Sequence, residues 1–147
     1  MKCCLAALLA TTIAVAGPAF GAGAATPEEA KAMLDRAVKL VQTDGEEKAL
    51  AAFNDPKGAF RDRDLYVFCF GTDKKITAHP TLPLGTDVTS VKNSVGENVG
   101  KQWAEVSGKG GGSLEYRWTN PVSKKLEKKI SFFKEAGKQV CGVGAYK

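Results

Sequence analysis

The chain has 147 residues, of which 44% are hydrophobic and 25% charged, and a net charge of +5. That balance suits one packed domain and excludes a disordered polyelectrolyte. The basic residues are interspersed with acidic ones, which gives nucleic acid no footing as a partner, and a single histidine, with no Cys-x-x-Cys-His run and no close cysteine pair after residue 4, argues against metal, haem or any other cofactor.

Lys2 and the apolar run from Cys3 to Ala16 read as an export leader, and Ala22-Gly23-Ala24 supplies the small-x-small pattern that signal peptidase accepts. The expectation is a signal peptide over residues 1–24, cleaved after Ala24, with a retained anchor as the alternative. Residues 25–147 then form a single domain, periplasmic or secreted. No later segment is long or apolar enough to cross a membrane as a helix. Cys3 and Cys4 leave with the leader. Cys69 and Cys141 remain, either as a disulfide, which an oxidising compartment would preserve, or as buried free thiols.

Thr26-Pro27-Glu28-Glu29 is a helix start with a cap, a first-turn proline and a capping-box glutamate. Ala30, Met33, Leu34, Ala37, Val38 and Val41 follow at helical spacing and predict a helix to about Thr43. Asp44-Gly45-Glu46-Glu47 repeats the capping logic for a second helix through Leu50 and Phe53, ended by Asn54-Asp55-Pro56-Lys57-Gly58. Leu65 to Phe70 is apolar at every position, the pattern of a strand covered on both faces, and Lys75 to His79 returns as a second strand. A polar helix is expected from Asn93 to Val106, with Val95, Val99, Trp103 and Val106 turned inward, ended by Gly110-Gly111-Gly112. Three strands close the chain: Leu114 to Thr119, Leu126 to Phe133 and Val140 to Tyr146. Glycines in the last let another surface approach its backbone. Two helices, two strands, a helix and three strands make an α+β domain on an antiparallel sheet.

Tyr116-Arg117-Trp118-Thr119-Asn120-Pro121 and Lys128-Lys129-Ile130-Ser131-Phe132-Phe133 are the most site-like segments. As neighbouring strands they bring aromatic faces and cationic groups to one surface, a combination that holds a small anion. Tyr116 and Trp118 would wall the apolar part of a ligand, or simply fill core. Lys129 and Arg117 would make the charge-assisted hydrogen bond, or lie on a solvated face. Alternation sets Lys129 opposite Ile130 and Phe132. Tyr66 can reach either layer, and His79 before Pro80 either binds a carboxylate or ends a strand. Arg63 and Asp64 pair with each other or orient the strand start. No nucleophile elbow, phosphate loop or ligand cluster appears, so an enzyme is not expected.

In their order, Phe53-Asn54-Asp55-Pro56-Lys57-Gly58, Asp62-Arg63-Asp64-Leu65-Tyr66-Val67-Phe68, Ala78-His79-Pro80, Tyr116 to Pro121 and Val140 to Tyr146 resemble a single Cache domain, an extracytoplasmic sensor module related to PAS. The resemblance implies a long N-terminal helix packed on one face of a five-stranded antiparallel sheet and a ligand pocket on the other. It also implies sensing of a small organic anion such as a short carboxylate, in signal transduction or chemotaxis. Where relatives often carry Pro-Lys-x-x-Tyr, this chain keeps Lys129 but has Phe132 in place of the tyrosine. No membrane helix or signalling domain follows Lys147, so the expectation is a stand-alone sensor serving a membrane receptor or kinase. The alternative is an interaction protein that binds no small molecule and acts through a receptor, or as a homodimer through residues 27–43.

Overall fold

The computed structural model describes residues 23–147. Apart from Gly23 and Ala24, the expected leader lies outside the described residues. Thr26 opens the first helix as its sequence demands: its Oγ1 accepts from Glu29 N at 3.2 Å, and its own N–H donates to Glu29 Oε2 at 2.7 Å. This reciprocal pair satisfies two otherwise free donors. Helix α1 (Pro27–Asp44) buries Ala30, Met33, Leu34, Ala37 and Val41. Helix α2 (Glu46–Asn54) follows directly. Its expected cap at Asp44 does not form, because Asp44 is spent as the last residue of α1; Gly45, at φ 89, makes the break, and no side chain caps α2.

Among the described residues, six strands follow the expected order, one more than predicted: β1 (Arg61–Asp62), β2 (Leu65–Gly71), β3 (Ile76–Ala78), β4 (Gly111–Thr119), β5 (Leu126–Ala136) and β6 (Gln139–Tyr146). The sheet is antiparallel in the order β1-β2-β6-β5-β4, with β3 also paired to β2. The extra strand arises because Arg63 turns the chain at φ 54, laying Arg61 and Asp62 against Tyr66 and Leu65. That conformation is uncommon for a residue with a side chain. Ion pairs from Arg63 to Glu29 at 2.7 Å and Asp62 at 2.9 Å hold it. Arg63 therefore ties the hairpin to α1 and does not pair with Asp64, which turns inward.

Every residue of β2 is buried, for the reason its double-sided apolar pattern suggested. Leu65, Val67 and Cys69 face α1 in one cluster, while Tyr66, Phe68 and Phe70 face a second cluster with Trp103, Tyr116 and Trp118. Successive strand residues point to opposite faces, so one strand feeds two cores. Cys69 and Cys141 stand directly opposite each other on β2 and β6 and are joined as a disulfide on the α1 side. The apolar stripe of α1 is consumed by packing on its own sheet. Its outward face carries Glu28, Lys31, Asp35, Arg36 and Lys39, all exposed, so the stripe is not available to pair with a second copy.

The third helix departs from expectation. It is α3 (Val99–Gly108), six residues later at its start than the spacing predicted. Asn93 Oδ1 accepts from Val95 N at 3.2 Å and Glu97 N at 3.0 Å, and Gly96 sits at φ 83. This local turn captures the backbone amides that a helix would need. Asn98 then caps the real start, its Oδ1 accepting from Lys101 N at 3.0 Å. Val95 is consequently exposed, while Val99 and Trp103 are buried as expected and Val106 half-buried. Gly111 and Gly112, read as loop, begin β4 instead. Among the described residues no helix is long and apolar enough to cross a membrane.

Candidate functional site

The sheet face away from α1 carries the candidate site. Pairing sets Tyr116 opposite Lys129 across β4 and β5, and Lys129 opposite Tyr146 across β5 and β6. Alternation sends Tyr116 and Trp118 inward from β4 and Lys129, Ser131 and Phe133 inward from β5. Lys129 is almost wholly buried, at 1% exposure. Its stem crosses β6 to reach β2, where Nζ donates to Tyr66 Oη at 2.8 Å. The ammonium lies 4.0 Å from the Tyr66 ring centre, 4.9 Å from that of Tyr146 and 5.5 Å from that of Phe68.

That crossing depends on Gly144. A Cβ there would lie 2.5 Å from Lys129 Cε and 2.8 Å from the Ile130 carbonyl oxygen, and would also collide with Ser131 Oγ. The carbonyl belongs to the sheet and cannot move aside cheaply. Gly144→Ala is expected to cost about 1–3 kcal/mol by overpacking and to displace the Lys129 stem. Thermal melts check the first effect. A pH titration of Tyr66 absorbance checks the second, because the phenol loses its ammonium partner. An unchanged melt would mean that this close approach is not needed.

Burial brings the Lys129 ammonium down to about 7 from its ordinary 10.5, with the charge of Asp64 opposing the shift. His79 is also buried, and its Nδ1 accepts from Thr81 N at 3.1 Å and Leu82 N at 3.0 Å. The ring proton therefore sits on Nε2, which has no partner. Burial, and then the charges of Lys129 and Arg61, hold His79 well below its usual value and keep it neutral. Trp103 Nε1 is a second buried donor without an acceptor. The layer thus holds spare donors and positive charge around Tyr66, a composition that favours an acceptor or anion.

Above this layer opens a cleft of about 370 Å³, floored by Tyr66 and Trp118, at the lower end of small-molecule sites. Its walls are three loops: Pro80–Leu82 after β3, Lys92–Ser94 before α3, and the β4–β5 turn with Asn120, Pro121 and Lys124. Asn120 shapes that turn, its Oδ1 accepting from Val122 N at 2.8 Å and its Nδ2 donating to Glu127 Oε2 at 2.8 Å.

Of the residues singled out from the sequence, Tyr66 and Trp118 line the cleft. His79 lies beside them, its ring centre 5.5 Å from that of Tyr66 and 5.8 Å from that of Trp118. Lys129 stands behind Tyr66 and meets the cleft through the phenol. Tyr116 is deeper, its hydroxyl 2.8 Å from Ser131 Oγ, and packs on Trp103. Arg117 is displaced from the site altogether. It alternates with Trp118, points to solvent and pairs with Glu97, whose Oε2 accepts from Nε at 3.2 Å. Lys92, Asn93 and Lys124 were not anticipated. They come from loops whose local signals are those of any turn, whereas Asn120 and Pro121 belong to the site-like segment Tyr116 to Pro121, where they begin the turn.

A Cache domain family model matches residues 31–147. The chain belongs to the Cache domain family. Solved structures with the same fold include a methyl-accepting chemotaxis protein from Vibrio parahaemolyticus RIMD 2210633, at TM-score 0.66 and 21% identity, covering 81% of this chain and 86% of that one. A Cache chemosensory domain described for carboxylic acid recognition matches at TM-score 0.56 and 24% identity, over 81% and 86% of the two chains. The periplasmic sensor domain of a chemotaxis protein matches at 0.59 and 24%, over 81% and 88%. No curated protein matches this Cache chain by sequence. Cache domains of this kind are sensor modules.

Proposed function

We propose that this Cache domain is an exported sensor that holds a small organic anion, such as a short carboxylate, in the cleft above Tyr66 and reports it to a membrane receptor or kinase. One observation carries the reading: Tyr66, which floors the cleft, accepts from the buried Lys129 ammonium. Because Lys129 donates to the phenol oxygen, the phenol keeps its own proton as a donor, for which an acid in the cleft would compete with the neighbouring Tyr146 hydroxyl. The charge behind it strengthens that hydrogen bond. Trp118 walls the apolar part of the ligand, and Lys92 and Lys124 at the mouth attract the anion. That a structural relative is described for carboxylic acid recognition supports this choice of ligand class. Dimerisation through residues 27–43 would have to use the charged outer face of α1. No single feature favours it over the monomer.

An anion selects the protonated Lys129. Since that ammonium loses its proton near 7, binding above this pH requires proton uptake. Affinity is expected to fall about tenfold for each pH unit well above 7. A thermal-shift screen of short mono- and dicarboxylates at pH 6 and pH 8 tests the proposal, because a ligand that binds only the folded chain raises Tm by mass action. The expected hits need about ten times more acid at pH 8 for the same shift. An absence of shifts at millimolar acid, or equal shifts with the matching neutral amides, would count decisively against it.

A further inference from the structure

Asp64 is buried to 2% exposure beneath the β4–β5 turn, yet its carboxylate has few partners. Oδ1 accepts from the backbone N–H of Ala25 at 3.1 Å, and Oδ2 accepts from Asn120 Nδ2 at a long 3.5 Å. A buried carboxylate ordinarily needs an opposite charge or several strong donors. The Lys129 ammonium acts on Asp64 through charge alone, being hydrogen-bonded to Tyr66, so the donor nearest the carboxylate is the nitrogen of Ala25. Ala25 itself is 4% exposed and sits in the α1 core cluster, while Gly23 and Ala24 before it are exposed. Among the described residues, the first buried position is therefore the one that follows Ala22-Gly23-Ala24, the pattern a signal peptidase accepts.

We infer that Ala25 is the processed N-terminus and that its α-ammonium is the built-in counter-ion of Asp64. Hydrolysis of the Ala24–Ala25 peptide bond by a signal peptidase takes up one water. The Ala24 carbonyl leaves as a carboxylate with residues 1–24, and the Ala25 amide nitrogen becomes an ammonium. A single amide donor at 3.1 Å from Oδ1 is thereby replaced by three donors and a unit charge at the same place. The positive end of α1 opposes a cation there, but Glu28 and Glu29 in its first turn offset that field. Through Asp64 and Asn120, the new terminus touches the turn that walls the cleft. Export processing thus completes the sensor's own scaffold.

The full chain produced with export in a bacterial host, then recovered for intact mass and N-terminal sequencing, is expected to begin at Ala25. A retained leader, or a cut elsewhere, would overturn the assignment. The ion pair is tested by comparing the exported protein with an oxidised form that keeps Gly23-Ala24 in front of Ala25, each with and without Asp64→Asn. The exported form should melt several degrees higher, and that advantage should vanish in the Asp64→Asn background. Equal melting of the two native forms would rule the pair out. Should Asp64→Asn fail to fold, NMR titration of the ¹³C-dimethylated α-amine decides. A value above the ordinary range of about 7.7–8.0 supports the pair, and one within or below that range refutes it.

Discussion

Lys129→Met is expected to give a domain that is more stable than the native one at neutral pH and binds acids much more weakly. The ammonium is buried at 1% exposure with one hydrogen bond, to Tyr66 Oη, so methionine of similar length removes a large desolvation cost. Replacing buried charge with packed apolar atoms commonly stabilises by about 1–4 kcal/mol. The three ring faces around Nζ favour the cation by about 1–2 kcal/mol, which places the gain in the lower half of that range. The pH dependence separates this cause from simple repacking. In the folded chain Lys129 loses its proton near 7, against an ordinary 10.5. Between those values the unfolded chain holds a proton that the folded one lacks, so native stability rises with pH across that window. The methionine variant lacks this rise, and the gap between the two proteins in urea melts should narrow from pH 7 to pH 9.5. Loss of the charge behind Tyr66 should weaken acid binding by about 2 kcal/mol or more, roughly thirtyfold in Kd. A variant less stable than native at pH 7 would show that Lys129 supports the fold rather than the site.

Removing the Cys69–Cys141 disulfide should produce the largest loss of stability of any paired change. The bridge closes a loop across a sequence separation of 72 residues, and the chain-entropy model assigns it about 4 kcal/mol. At roughly 3–5 °C per kcal/mol for a domain of this size, Tm should fall by roughly 12–20 °C. The bridge links β2 to β6, and Lys129 reaches across β6 to contact Tyr66 on β2. The reduced protein should therefore also bind acids more weakly, because the two strands that Lys129 spans lose a covalent tie on the opposite face of the sheet. Melts of the oxidised protein, the protein in excess reductant and a Cys69→Ala/Cys141→Ala variant check the effect. If all three agree within a few degrees, the sheet alone fixes those strands.

Much of the architecture was legible in the sequence because short-range rules govern it. The Thr26–Glu29 capping box, the α1 stripe and the two-sided apolar run of β2 each involve residues close together in the chain, and each stands in the structure where its spacing put it. The α3 start was misread because two local preferences competed. The apolar spacing of Val95, Val99 and Trp103 suits a helix, but Asn93 captured the amides of Val95 and Glu97 in a turn, and side-chain capture wins where no helical neighbour has yet formed. The site was legible only in part. Alternation separated Trp118 from Arg117 but gave no means of saying which face would be the cleft. The cleft-lining Lys92, Asn93 and Lys124 come from loops, and loop residues acquire a shared purpose only when the fold brings them together.

Taken by itself, the sequence determined the order of elements and which residues share a face of each strand or helix, since these follow from periods of two and 3.6 residues. Tertiary structure alone decided that Lys129 passes over Gly144 to Tyr66, that Cys69 meets Cys141, and that Ala25 meets Asp64. Those contacts depend on strand register and on how distant segments pack, and no local period encodes the distance between residues that are far apart along the chain.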